Sequence, residues 1–389
     1  PLKTKNQIRV AHKNLKTKVS PKYQWIYDQK IVAGWMDIET YNKKERLAVN
    51  NILNSDLNLL WITFNPEWYL SNKAQKKSED KNVWLKTIKE FTRQMKDIYK
   101  EKNKEYPRIF VGVDLTNNFS KAKVHDSAMD IYGFNYNKIP APLSYKNLWQ
   151  PECVEPLEHF VTLWNNEIGN GIPLSGIFLD LEMYHAPEQG GSYSNVMDFS
   201  NTSWKKFEKV AGKNVCSSEA ITNRGACLSH YKLLPYYFKK QKENAYKLGR
   251  RLQNEFNRIL PDGMIAAYNM GLPTEWFYQG LFSGLNSPQK PIIFATFNTD
   301  FYAHNKWLNE QGIYGYHAPA LLFSKLRSEK DFDAIGQYAD GHDGIWLNRF
   351  SWLVNDYDPK AWYEGESTPL DKNVVVQNIA IQANKLKMA

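Results

Sequence analysis

Asp180 and Glu182 stand two residues apart at the close of an apolar run, in the stretch SGIFLDLE at 175–182. In an extended strand, alternate side chains share a face. Phe178, Asp180 and Glu182 therefore point one way, and Ile177, Leu179 and Leu181 the other. Along one strand the two carboxylates are about 7 Å apart. Their repulsion and partial loss of water favour keeping one of them protonated near neutral pH. A protonated acid beside an ionised partner is the pair that glycosidic bond cleavage requires.

Other polar residues close apolar runs in the same way. Asp37 and Glu39 end the first run in a second D-x-E, and Glu67 follows the second. Asp114 ends the third, and Tyr184 follows Glu182 after the fourth. Asp300 lies just past the sixth, His317 ends the seventh, and Asn348 and Arg349 end the eighth. Acids and amides meet the hydroxyl edges of sugars, and aromatic rings meet their C–H faces. Candidate stacking rings are Trp35, Trp68, Tyr69, Tyr184, Trp276, Trp346 and Trp352. Asp37, Asp114 and Asp300 are candidates for a conventional second carboxylate. Among eight histidines only His317 falls at a strand end, too few for a metal centre of the His-carboxylate type. No cofactor is implied.

The elements that position these groups are legible as a rhythm. Eight β-rich runs read 31–38, 58–64, 108–114, 175–182, 263–269, 291–297, 312–317 and 343–348. Most are almost continuously apolar, as strands buried on both faces are. Helical periodicity separates them. Trp84, Ile88, Phe91, Met95 and Ile98 make one apolar stripe within 82–100, and Ala245, Leu248, Leu252, Phe256 and Ile259 another within 236–260. Weaker helical patterns cover 153–168 and 325–339. Strand and helix alternating eight times predict a (β/α)8 TIM barrel, an α/β fold, as a single domain. A doubly wound open sheet would show a glycine-rich turn after the first strand, and none is present. Long connections at 115–152 and 183–230, after strands three and four, leave the carboxyl ends of their strands, where barrel active sites are built. The expected organisation is a basic arm over 1–30, the barrel over 31–365 and a helical tail over 366–389. The tetrapeptide YHAP occurs at 184–187 and 316–319 with no longer period behind it, so it marks no repeat.

At the fourth strand the chain resembles the family-18, chitinase-like glycoside hydrolases, whose signature reads D-G-x-D-x-D-x-E. Gly176, Asp180 and Glu182 match it, while Ser175 and Phe178 stand where it has its first two aspartates. The resemblance implies that Glu182 is the general acid and then the base. It implies that Asp180 orients the N-acetyl group of the substrate, whose oxygen acts as the nucleophile. Tyr268–Asn269 and Phe297–Asn298 echo the family's Tyr-Asp pair without its aspartate, and Trp346 corresponds to its strand-eight tryptophan. The strand-three S-x-G-G motif is replaced by Val111, Gly112, Val113 and Asp114. A D-x-E at strand four is also similar to family-25 lysozymes and hyaluronidases.

Composition bounds the partners. The 389 residues carry a net charge of +9, from 50 Lys and Arg against 41 Asp and Glu, with much of the excess in the first 30 residues. Such a balance suits either a solvated arm or an anionic polymer. No zinc-finger spacing or RNA-recognition motif is present, so nucleic acid is not an expected partner. No apolar stretch reaches the roughly 20 residues of a membrane span. The chain begins at Pro1 and reads as processed or cropped. Cys216 and Cys227 lie close together in a polar stretch and are either a staple, which implies an oxidising compartment, or two free thiols. The expectation is a glycosidase acting on an N-acetylated amino-sugar polysaccharide, secreted, periplasmic or on the cell surface. The alternatives are a carbohydrate-binding barrel without efficient chemistry and a barrel hydrolase of another class, such as a metal-dependent one.

Overall fold

The computed structural model describes residues 19–36, 47–64, 78–114, 126–143, 154–181, 198–268, 275–296, 308, 310–321, 325–333, 343–348, 350 and 368–388. Eight parallel strands close into a barrel: β1 (Ile31–Met36), β2 (Leu59–Phe64), β3 (Arg108–Asp114), β6 (Leu174–Asp180), β7 (Met264–Tyr268), β8 (Ile292–Thr296), β9 (Gly315–Leu321) and β10 (Gly344–Leu347), with β10 pairing back onto β1. The remaining two, β4 (Ser127–Met129) and β5 (Asn135–Pro140), form a separate antiparallel hairpin. All eight runs expected from the sequence are barrel strands, and the (β/α)8 architecture stands.

Strand alternation sorts the side chains as the apolar runs require. Trp61, Phe110, Phe178, Tyr268, Tyr316 and Trp346 belong to an interior cluster with Ala266, Ala295, Ala318 and Ala320. Large rings from six of the strands thus share the interior with alanines from β7, β8 and β9, which is how a small barrel fills its core. Ile177, Leu179 and Leu181 face outward into the larger cluster beneath the helices. The helices are α1 (Trp25–Asp28), α2 (Leu47–Asn54), α3 (Ser78–Glu101), α4 (Glu155–Leu163), α5 (Asn201–Ala211), α6 (Arg224–His230), α7 (Leu234–Ile259), α8 (Trp276–Leu285) and α9 (Lys372–Met388), of which α1 packs on the interior cluster and α5 and α6 on a separate one.

Both ends of the described chain are packed. Val19, Tyr23 and Ile26, within the stretch read above as a basic arm, join the interior cluster. The Arg108 guanidinium lies 4.3 Å over the Trp25 ring, so this segment closes the N-terminal end of the barrel. Helix α9, in the tail, buries Val375, Val376, Ile379, Ala383 and Leu386 in the outer core. Its Lys387 Nζ donates to the Asp56 carboxylate at 2.7 Å.

Helices α7 and α8 cross at backbone contact. A Cβ on Gly284 would meet the Tyr246 carbonyl at 2.3 Å and the Arg250 nitrogen at 2.7 Å. Backbone cannot move aside as a flexible side chain can. Gly284→Ala is therefore expected to destabilise the fold by about 1–3 kcal/mol through overpacking, read as a lowered midpoint in denaturant unfolding. An unchanged midpoint would contradict this close crossing.

Three expectations need correction. The seventh strand runs Gly315–Leu321 and not 312–317. Gly312 has φ +74 in a turn ahead of it, and Pro319, which reads as a strand breaker, sits opposite Thr296 where the β8–β9 ladder ends. The connection after the fourth strand is not a plain loop, because α5 and α6 form within it. Of the weak helix at 325–339, the described residues form a short 3-10 turn, Glu329–Phe332.

Candidate functional site at the barrel mouth

Asp180 is the last residue of β6. The backbone register sets it beside Asp114 of β3 on one side and Tyr268 of β7 on the other. Phe178, two residues before it, is inside the barrel, so alternation directs Asp180 inward at the carboxyl end, where it is 3% exposed. Leu181 follows the strand, its N–H donating to the Tyr268 carbonyl at 3.1 Å. Glu182 follows directly in the chain and lies outside the described residues, as do Asp37, Glu39, Glu67, Tyr184, Asn269, Asn298 and Arg349. Of Asp114 the structure describes the backbone position.

Beneath Asp180 is an aromatic floor. Phe178 stacks on Trp61 with centroids 4.3 Å apart and planes at 16°. Trp35 approaches Phe178 and Trp346, each at 6.2 Å, and Tyr268 at 6.4 Å. Trp346 lies 5.7 Å from both Trp61 and Tyr268. Its indole N–H donates to the Thr296 carbonyl at 3.3 Å. Trp346 and Tyr268 are thus buried in the floor, whereas Trp35 is half-buried. Phe178 occupies the place of the middle aspartate of the chitinase-like signature, and it fills core volume there.

Asn348 follows β10 and is buried, its N–H bonded to the Leu321 carbonyl at 3.2 Å. His317 is not at the mouth. It is the third residue of β9 and lies on the outward face, stacked on Phe294 at 5.5 Å and 1% exposed. The shifted strand explains this, since Tyr316 and Ala318 take the inward positions. Trp276 is likewise buried in the outer core and is no stacking surface. Among the described residues, no group of three or more His, Cys, Asp or Glu is placed to hold a metal ion. No described helix is long and apolar enough to cross a membrane.

The two long connections join into one unit. Asp198 is buried at its centre. Its Oδ1 accepts from the N–H of Met129 at 3.0 Å and of Ser200 at 2.9 Å, and its Oδ2 from the hydroxyls of Ser200 and Ser203, each at 2.7 Å. The Tyr237 hydroxyl donates to the Asp198 carbonyl. Cys216 and Cys227 form a disulfide, with Cys216 packed among Trp204, Phe207 and Tyr237. The turn of the β4–β5 hairpin docks on α6 so closely that a Cβ on Gly225 would meet the Ile131 carbonyl at 2.1 Å. The same turn exposes Tyr132 and Phe134. The sequence reading missed this hub, although Asp198, Ser200 and Ser203 are spaced as a helix cap, with Ser200 capping α5.

Burial pushes the Asp198 carboxyl up to about 6, against the four hydrogen bonds that favour its charged form. The folded protein therefore holds this proton more tightly than the unfolded chain does. The group's contribution is largest below its ordinary value of about 4 and is lost as pH rises through 6. The difference is roughly 3 kcal/mol. In Asp198→Asn the amide oxygen still accepts from the two backbone N–H groups, and the amide nitrogen donates to the serine hydroxyls. The wild type is expected to lose stability relative to this variant between pH 4 and about 6. Parallel unfolding curves across that window would contradict the burial of an ionisable group here.

No protein-family model matches the sequence, and no curated protein matches it. Among solved structures, the chain is similar to a β-galactosidase from the psychrophilic Marinomonas ef1, with a TM-score of 0.56 and 8% identity over 92% of this chain and 59% of that one. It is similar to the β-galactosidase of Bacillus circulans sp. alkalophilus, with a TM-score of 0.54 and 10% identity over 92% of this chain and 56% of that one. The β-galactosidase of the Antarctic haloarchaeon Halorubrum lacusprofundi gives 0.53 and 9% over 92% and 58%. The chain spans less than three-fifths of the length of each of these proteins. At such identity the likeness is one of fold, and the fold is the (β/α)8 barrel.

Proposed function

We propose that the chain is a glycoside hydrolase working at the carboxyl end of the barrel, with Glu182 as general acid and then base and Asp180 as its partner. The observation that carries this reading is the placement of Asp180, inward at the end of the fourth barrel strand. Glu182 stands two residues further along the sequence. Glu182 protonates the leaving glycosidic oxygen as the bond to the anomeric carbon breaks. The substrate is a polysaccharide of N-acetylated amino sugars. Its acetamido oxygen attacks the anomeric carbon while Asp180 orients the acetamido group, and Glu182 then takes a proton from the incoming water. The aromatic floor excludes water beneath Asp180 and strengthens its interactions. The fold likeness to β-galactosidases supports a glycosidase of some kind, and the disulfide supports a secreted, periplasmic or surface location.

A second reading has its own support. With Phe178 in place of an aspartate, and Asp114 set beside Asp180 across β3 and β6, a carboxylate nucleophile replaces the acetamido oxygen. Polymers matched except for the acetamido group separate the two. Chitin oligosaccharides cleaved and their fully deacetylated forms left intact support the acetamido reading. Equal cleavage of both, or cleavage confined to sugars without the group, transfers the role of nucleophile to a protein carboxylate. Tight glycan binding with no cleavage of any polymer would favour a lectin-like barrel.

A further inference from the structure

The outer wall carries a second feature that the mouth does not use. A groove of about 870 Å³ runs between α7 and α8, floored by residues 286–288, 311, 312 and 314. Those residues precede β8 and β9, so the groove lies toward the amino ends of the strands, away from the mouth. Along α7, Lys239, Lys242, Tyr246 and Arg250 recur at spacings of three and four, with Lys247 beside them. They form one stripe, with about one cation per 5.4 Å helical turn. Glu243 is the single carboxylate lining the groove, and Lys240 pairs with it at 3.0 Å. Among the described residues no carboxylate pairs with Lys239, Lys242, Lys247 or Arg250. Lys242 is held in place by Gln279 at 2.8 Å and Gln311 at 2.9 Å, while Lys239, Lys247 and Arg250 are exposed. Tyr246 presents an exposed ring among them.

We infer that this groove is an accessory binding site for an acidic polysaccharide, one carrying carboxylate or sulfate groups. The inference rests on the glycosidase reading for its choice of a glycan. Cations spaced by a helical turn match a charge on each sugar of an extended chain, and the Tyr246 ring offers one stacking face. Asn286 lies in the floor, donating from Nδ2 to the Tyr314 carbonyl at 3.2 Å, while its buried Oδ1 has no partner among the described residues. A single-stranded nucleic acid would call for several stacking rings, and the exposed one here is Tyr246. Polymer held on the wall raises its effective concentration at the mouth, a gain that short substrates do not receive.

The test uses the full chain and the variant Lys239→Gln/Lys247→Gln/Arg250→Gln. A second variant, Lys205→Gln/Lys209→Gln/Lys213→Gln, removes equal charge from exposed positions on and just after α5. Binding is measured by affinity electrophoresis in polygalacturonate, dextran sulfate, dextran and polyuridylate. The expected result is binding to at least one acidic glycan, weakened roughly tenfold in the groove variant, little changed in the α5 variant and abolished by high salt. Neutral dextran is not retained. Groove and α5 variants that bind alike, or polyuridylate bound as tightly as the glycans with the same loss, overturn the inference. Loss of binding in the groove variant with no hydrolysis of any glycan leaves the groove standing and removes the catalytic reading. Hydrolysis with no groove-dependent binding does the reverse.

Discussion

On the proposed assignment, Glu182→Gln is expected to lower kcat by about 10²–10⁴-fold with little change in KM, because the amide keeps the shape of the acid but cannot give up a proton. The loss depends on the leaving group. A sugar alkoxide needs a proton to depart, whereas an activated aryl leaving group departs almost unaided. The variant therefore recovers much of the first step on aryl glycosides. The pH profile changes with it. The wild type loses activity as the acid ionises at high pH, and the variant lacks that limb. Steady-state kinetics on a natural oligosaccharide and an aryl glycoside check both points. An equal loss on the two substrates, or a retained alkaline limb, would move the acid role to another residue.

Phe178→Ala costs about 3–5 kcal/mol of stability. Phe178 is 1% exposed and stacked on Trp61 at 4.3 Å, with Trp35 at 6.2 Å. Removing the ring leaves a cavity beneath Asp180 that Trp61, itself fully buried, cannot collapse to fill. Phe178→Asp, which restores the missing residue of the chitinase-like signature, costs more than alanine because it also buries a charge among aromatic rings. Denaturant unfolding of the three proteins orders them wild type, alanine, aspartate. An aspartate variant as stable as the wild type would mean that position 178 is wetter and more polar than the aromatic stack implies.

These effects bear on what the sequence could reveal. The barrel was legible because strands covered on both faces must be apolar along their length, and eight such runs alternate with helical stripes. The inward placement of Asp180 was legible because side chains alternate along a strand whatever surrounds it. The limits have physical causes too. Placing His317 at the mouth rests on ending the seventh run at 317, and moving the end of a strand changes which residues reach the mouth. Trp346 and Tyr268 read equally well as cleft rings or as core, since an inward aromatic one tier lower differs from a sugar platform only in depth. The hub at Asp198 joins segments that are 69 residues apart, Met129 and Asp198, and no local pattern announces such a pairing. Cys216 and Cys227 left two readings open until α5 and α6 brought them within 5.9 Å, measured between their Cα atoms.

The most direct test of a glycosidase at this mouth is the mass of what the protein releases. The wild type is incubated with a panel of N-acetylated, acidic and neutral polysaccharides, and soluble products are read by mass spectrometry. The account predicts saturated oligosaccharides from an N-acetylated polymer, each heavier by one water than the sum of its anhydro-sugar residues. No product from any polymer, or unsaturated fragments that have gained no water, would contradict hydrolysis by Glu182.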